Sequence, residues 1–198
     1  MKTVTALFDD YDDAEDSVRE LETTGVPEAD ISIVANNSND RHDGGNGSDA
    51  GEEAATGAGI GAVVGGAGGL LTGLGLMAIP GVGPVVAAGW LAATAVGAVA
   101  GAAAGGAAGG ILGALTDSGV PERDAHVYAE GVRRGGALVT ARVDDSQAGQ
   151  AEEILSELGS VDLSARRTDY EQGGWSRFDP DAPPYAADVR DLRGDDGR

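Results

Sequence analysis

The chain has 198 residues, 33 of them Asp or Glu and 13 Lys or Arg, for a formal charge of -20, and Lys2 is its only lysine. This balance argues against nucleic acid as a partner, because phosphate binding needs clustered cations, and it fits a protein that stays hydrated in concentrated salt, as in a halophile. Cysteine is absent, which excludes disulfides, thiolate zinc sites and thiol catalysis. Residues 1–36 read as a first βαβ half. VTALF (residues 4–8) is a short strand, and Tyr11 to Thr23 has helical spacing through Ala14, Val18 and Leu21. Gly25-Val26-Pro27 stops the helix, and ISIVA (residues 31–35) is the second strand. MKTVTALFDDYDD turns acidic without an apolar core, so a cleaved secretory signal is not expected and this part should stay in the cytoplasm.

Residues 37–53 are polar, glycine-rich and without large apolar side chains, which reads as a disordered tether. Residues 54–116 then carry no charge at all. Two stripes of glycine at every fourth position lie within them: Gly57, Gly61, Gly65, Gly69 and Gly73, then Gly97, Gly101, Gly105, Gly109 and Gly113. Each glycine inside a helix costs about 1 kcal/mol relative to alanine, but positions four apart share a helix face. A glycine stripe lets a second helix backbone approach closely. Pro80, Gly81, Gly83 and Pro84 make a turn between arms of 26 and 32 residues, each long enough for a bilayer core of about 30 Å. The expectation is an antiparallel Gly/Ala-rich helical hairpin packed by a glycine zipper. Its remaining apolar residues face either membrane lipid or other copies of the chain in a homo-oligomer.

Residues 117–167 read as the second half. Pro121 to Arg134 is a helix, ALVTARV (residues 137–143) a strand, Gln147 to Leu158 an amphipathic helix and VDLSAR (residues 161–166) a last strand. TGVPEAD (24–30) and SGVPERD (118–124) echo each other. Neither half can build a core alone, so the expected fold is α+β: a ferredoxin-like split βαβ/βαβ sandwich, a four-stranded antiparallel sheet with two helices on one face. Residues 168–198 read as a flexible tail with an aromatic island of Trp175, Phe178 and Tyr185. That island either folds back on its own domain or docks on a protein partner.

Motifs for chemistry are weak. GAGIGA (Gly57, Gly59, Ala62) matches a dinucleotide pattern but lacks the preceding strand. GGNGSD (44–49) is a single calcium-type nonapeptide where a stack is needed. Asp9, Asp10, Asp12, Asp13 and Asp16 suit helix capping and a solvated face better than a cation. His42 and His126 have no partner that would complete a metal set or a triad. No catalytic residue, cofactor or metal site is expected, and the chain reads as a non-enzyme.

FDDYDDAEDSVRELETTGVPEADISIVA resembles the βαβ domain of the heat-induced general stress proteins of the YflT-like family. The Gly/Ala stretch followed by GVPERDAHVYAEGVRRGGALVTARV is similar to its glycine-zipper members, over residues 1 to 166 in all. The resemblance implies a stress-response role and brings no catalytic signature, while the long tether and the acidity depart from the usual pattern. The leading expectation is therefore a self-associating hairpin, membrane-embedded and tied to a cytosolic ferredoxin-like domain. The alternatives are a soluble homo-oligomeric scaffold with buried hairpins, and a small-ligand sensor suggested by fold analogy.

Overall fold

The computed structural model describes residues 1–37, 75–79, 81–94, 110–182 and 185. The first half follows its periodicity: β1 (Lys2–Phe8), α1 (Tyr11–Thr23) and β2 (Ile31–Asn36). Then come β3 (Gly75–Ile79), β4 (Gly83–Gly89), helical residues 90–94, α2 (Ile111–Asp117), α3 (Glu122–Arg133), β5 (Ala137–Val143), α4 (Ala148–Glu157) and α5 (Leu163–Gln172).

The strands form one sheet in the order β1-β5-β2-β4-β3 with every neighbouring pair antiparallel. Strand β5 lies between β1 and β2, pairing Thr140 with Thr5 on one side and with Ser32 on the other. The two halves therefore meet in one sheet across the long insert. On one face Ala14, Val18 and Leu21 of α1 and Ala151, Ile154 and Leu155 of α4 pack on Val4, Phe8, Ile33 and Val139. On the other, α2 and α3 pack Leu112, Leu115, Ala129 and Val132 on Leu7, Val34, Val85 and Leu138. At Gly131 the helix comes so near the sheet that a Cβ would press on the Leu7 side chain.

The α+β class agrees with expectation, and three details differ. The sheet is covered by helices on both faces, where two helices on one face were expected. Around Pro80–Pro84 the expected helical arms are strands instead. Gly81 and Gly83 do turn, at φ 75 and 100, but β4 pairs with β2 from Ser32↔Gly89 to Asn36↔Val85. Val82, Val85 and Val86 are fully buried, so the turn belongs to the core. Val85 and Ala87 face one layer while Val86 and Ala88 face the other. A strand covered on both faces is apolar at every residue, which is why an uncharged run read equally as helix. Trp90, next after β4, donates its indole N–H to the Asp30 carbonyl (3.1 Å) under the Arg142 guanidinium, 4.7 Å from the ring centre.

The third difference is VDLSAR, which opens α5 rather than forming a strand. Asp162 caps the helix by accepting from the Ser164 and Ala165 N–H groups (2.8 and 3.0 Å), and Gly173-Gly174 ends it. The outer edge of β1 is already engaged. Tyr128 donates its hydroxyl to the Thr5 carbonyl (2.9 Å), and the Val161 N–H bonds to that of Leu7 (2.8 Å). A capped helix satisfies the local backbone more fully than a strand on an edge so occupied. The tail boundary expected at 168 accordingly falls inside a helix.

Candidate functional site

The residues with chemistry gather where α3, α5 and the segment after α5 meet. Six of the chain's arginines are here, in a molecule otherwise dominated by acid: Arg123, Arg133, Arg134, Arg166, Arg167 and Arg177. Most are neutralised locally. Glu130 is fully buried in α3, and its carboxylate accepts from Arg133 (3.0 and 3.2 Å) and from Arg134 (2.7 Å); a carboxylate held that far from water needs such partners. Arg166 grips Asp9 with two bonds of 2.7 Å, fastening α5 to the approach to α1. That guanidinium holds the Asp9 carboxyl below its usual range, against the opposing effect of partial burial. Arg167 bonds Asp124 at 2.5 Å.

A groove of about 810 Å³ opens between the start of α3 and α5, lined by Glu122, Arg123, His126, Arg167, Glu171 and Trp175 among others. His126 Nε2 stands 3.9 Å from Glu122 Oε1, while its Nδ1 and the Trp175 indole nitrogen are buried without a partner. The walls mix both charge signs and include the Ser176 hydroxyl. Among the described residues no group of three or more His, Cys, Asp or Glu is gathered as a metal site would need. The groove is a surface concavity of mixed polarity, with no single sign of charge along its walls.

The aromatic island lies on this same surface. Trp175 meets Tyr170 edge-on with ring centres 5.6 Å apart. Phe178 is buried among the residues of the α2–α3 layer. The Tyr185 ring lies 5.1 Å from the Arg134 guanidinium and 5.7 Å from that of Arg133. The described part of the tail, through residue 182 and at Tyr185, lies on its own domain. Composition reveals the island but not its socket. Of the glycine stripes, Gly113 lies half-buried in α2, and Gly57, Gly61, Gly65, Gly69, Gly73, Gly97, Gly101, Gly105 and Gly109 lie outside the described residues, as does Pro80. Pro84 is in β4 and offers its carbonyl to the Asn37 N–H (2.9 Å). Asp10 is the N-cap of α1 without a side-chain bond, and Asp12 and Asp13 are exposed in its first turn.

Residues 3–82 match the model of the heat-induced stress protein YflT domain. This segment of the chain is similar to a YflT-type domain. The matched YflT segment contains β1, α1, β2 and β3 and ends in the turn before β4. It does not include β5, the strand that joins β1 to β2. No curated protein and no solved structure compared with the chain matches it. Among the described residues no helix is long and apolar enough to cross a membrane.

Proposed function

We propose that this is a non-enzymatic stress-response protein in which a ferredoxin-like core, enlarged by β3 and β4, holds two glycine-striped segments side by side, and that those segments join copies of the chain into a homo-oligomer. The match to the YflT domain supports the stress role. The observation that carries the assembly is the position of the β3–β4 hairpin between the stripes. Because it belongs to the main sheet, the insert is two excursions rather than one. The first leaves at Asn37, beside Pro84, and returns at Gly75, beside Ala87. The second leaves after residue 94 and returns at Gly110, where a Cβ would lie 3.5 Å from Ile79. The described ends of the two excursions thus follow one another along β4 in opposite senses, and the proposal is that the two glycine stripes face each other in the assembly.

The same connections argue against a membrane-spanning hairpin, the leading expectation from composition. An excursion with both ends on one sheet must cross a bilayer an even number of times, and there and back takes about 40 apolar residues. The uncharged part of the first is residues 54–74, and the second is residues 95–109. Neither suffices. The proposal is accordingly a cytoplasmic assembly, with contact to lipid limited to a surface.

The test replaces residues 38–74 and 95–109 with flexible linkers of about 12 residues, whose span of about 20 Å matches the strand they bypass. In concentrated salt the full chain should sediment as a defined multimer and the excised chain as a folded monomer. Gly65→Leu and Gly105→Leu should weaken the multimer, while Ala67→Leu and Ala103→Leu should not. A monomeric full chain, or an excised chain that still assembles, overturns the reading. Flotation with phosphatidylglycerol vesicles that needs the glycine segments would make lipid the partner instead.

A further inference from the structure

We propose that residues 173–182, with the Tyr185 ring, form a releasable latch that clamps the turn between β3 and β4, and so controls how freely the two glycine-striped segments can assemble. The assembly step rests on the self-association proposed above; the latch itself rests on geometry alone. Its fixed point is Gly81, in the turn between β3 and β4. A Cβ there would lie 2.6 Å from Pro180 Cα and 2.8 Å from the Asp179 carbonyl oxygen, so the latch backbone lies directly on the turn. Two residues earlier Phe178 enters the layer that also buries Val82 and Val85. Further back the latch hinges at Gly174 (φ 87), with Trp175 folded onto Tyr170. At its far end Tyr185 covers Arg133 and Arg134, the arginines that neutralise buried Glu130.

What makes this a latch is how it is held. Its main-chain bonds among the described residues are local: the Gly173 N–H to Asp169 O (3.1 Å), the Gly174 N–H to Glu171 O (2.9 Å), the Trp175 N–H to Tyr170 O (3.0 Å) and the Ala182 N–H to Asp179 O (3.2 Å). Among the described residues no strand ladder joins it to the sheet. One buried ring, one backbone contact and ring–cation contacts fasten it, the kind of attachment that opens locally well before a domain unfolds. Opening it uncovers Val82 and the Phe178 socket at the short link between the two excursions. It thereby adds apolar surface where the excursions emerge.

Arg177 lies exposed between Trp175 and Phe178, and cleavage there by trypsin requires the latch to leave its seat. The experiment compares the full chain with Gly81→Ala, Phe178→Ala and Gly25→Ala. Gly25 also has positive φ (92), but a Cβ there meets nothing within 4 Å, so Gly25→Ala reports backbone strain alone. Cleavage after Arg177, read by intact mass, should be about tenfold faster in Gly81→Ala and Phe178→Ala than in Gly25→Ala. Both should also shift to larger assemblies by light scattering. Equal cleavage rates would overturn the latch, as would loss of cooperative unfolding in Phe178→Ala, since part of the main core cannot release alone. Faster cleavage with unchanged assembly mass would overturn its control of association. A full chain whose mass does not change on excision of the glycine segments removes the self-association reading, and the Arg177 cleavage still reports the latch.

Discussion

Tyr128 ties the second half of the chain to the first through one side chain. Its ring is buried in the α2–α3 layer, and its hydroxyl donates to the Thr5 carbonyl at 2.9 Å on the outer edge of β1. Burial pushes its phenol up to about 12, with the charge of Asp124 adding to the effect, and burial raises Tyr11 to about 12 as well. A phenol whose folded value is raised contributes stability that is complete below its unfolded value near 10 and is lost as pH climbs through the folded value. For Tyr128 that loss is about 2 to 3 kcal/mol across the window. Thermal unfolding should therefore be insensitive to this group below pH 10 and fall steeply between pH 10 and 12. Tyr128→Phe should be less stable at neutral pH and lose part of that fall. An unchanged slope would mean the hydroxyl is not held as described. Helical spacing placed Tyr128 on α3, but its partner 123 residues away in β1 has no signature in sequence.

At the scale of elements, the decisive one is β4. Gly89 ends it at φ 89, where a Cβ would run into the Ile31 carbonyl oxygen and lie 2.8 Å from Ser32 Cα. Gly119 has a similar φ of 95 with nothing within 4 Å, which makes it the matched control. Gly119→Ala should cost about 1 to 2 kcal/mol from backbone strain, and Gly89→Ala more than about 3 kcal/mol from strain and collision together. Chemical denaturation of the two variants checks this, and similar losses would remove β4 from the sheet. The residues that make β4 were visible, but their role was not. GPVVAAG alternates between two apolar layers and so shows no alternation in polarity. VDLSAR has the reverse difficulty: its apolar residues alternate like a strand, while the cap at Asp162 and the stop at Gly173-Gly174 were the better guide.

For the whole molecule, the boundary of a sequence family and the boundary of a folding unit do not coincide. The YflT match covers residues 3–82, yet within it β1 and β2 have no strand between them, because β5 comes from residues 137–143. A chain of residues 1–82 should therefore be unfolded by circular dichroism, while residues 1–182 should unfold cooperatively. A cooperative transition in the shorter chain would show that β1 and β2 can pair without β5. Closing the sheet over so long an insert is tolerable because loop-closure entropy grows only slowly with length. The fusion of residues 1–36 directly to 118–167, which the two-half reading invites, would discard β3, β4 and α2 and leave one layer without Val85, Leu112 and Leu115.

The sequence alone determined the properties that are local or summed along the chain. These are the acidity, the absence of cysteine, the first βαβ unit, α3, β5 and α4, and the need for two incomplete halves to share a sheet. Each follows from composition or from a period repeated over several neighbouring residues. Only the tertiary structure decided which runs of uniform apolar sequence became strands, where the Phe178 ring found its socket, and that α5 replaced a last strand. Those outcomes depend on which surfaces remain to be covered once the sheet has formed. Between residues 54 and 116 no charge marks an outer face, so the chain carries no polar pattern to distinguish helix from doubly covered strand. The choice fell to long-range packing: β2 offered an open edge, and Val85 and Val86 could each bury a side chain in a different layer.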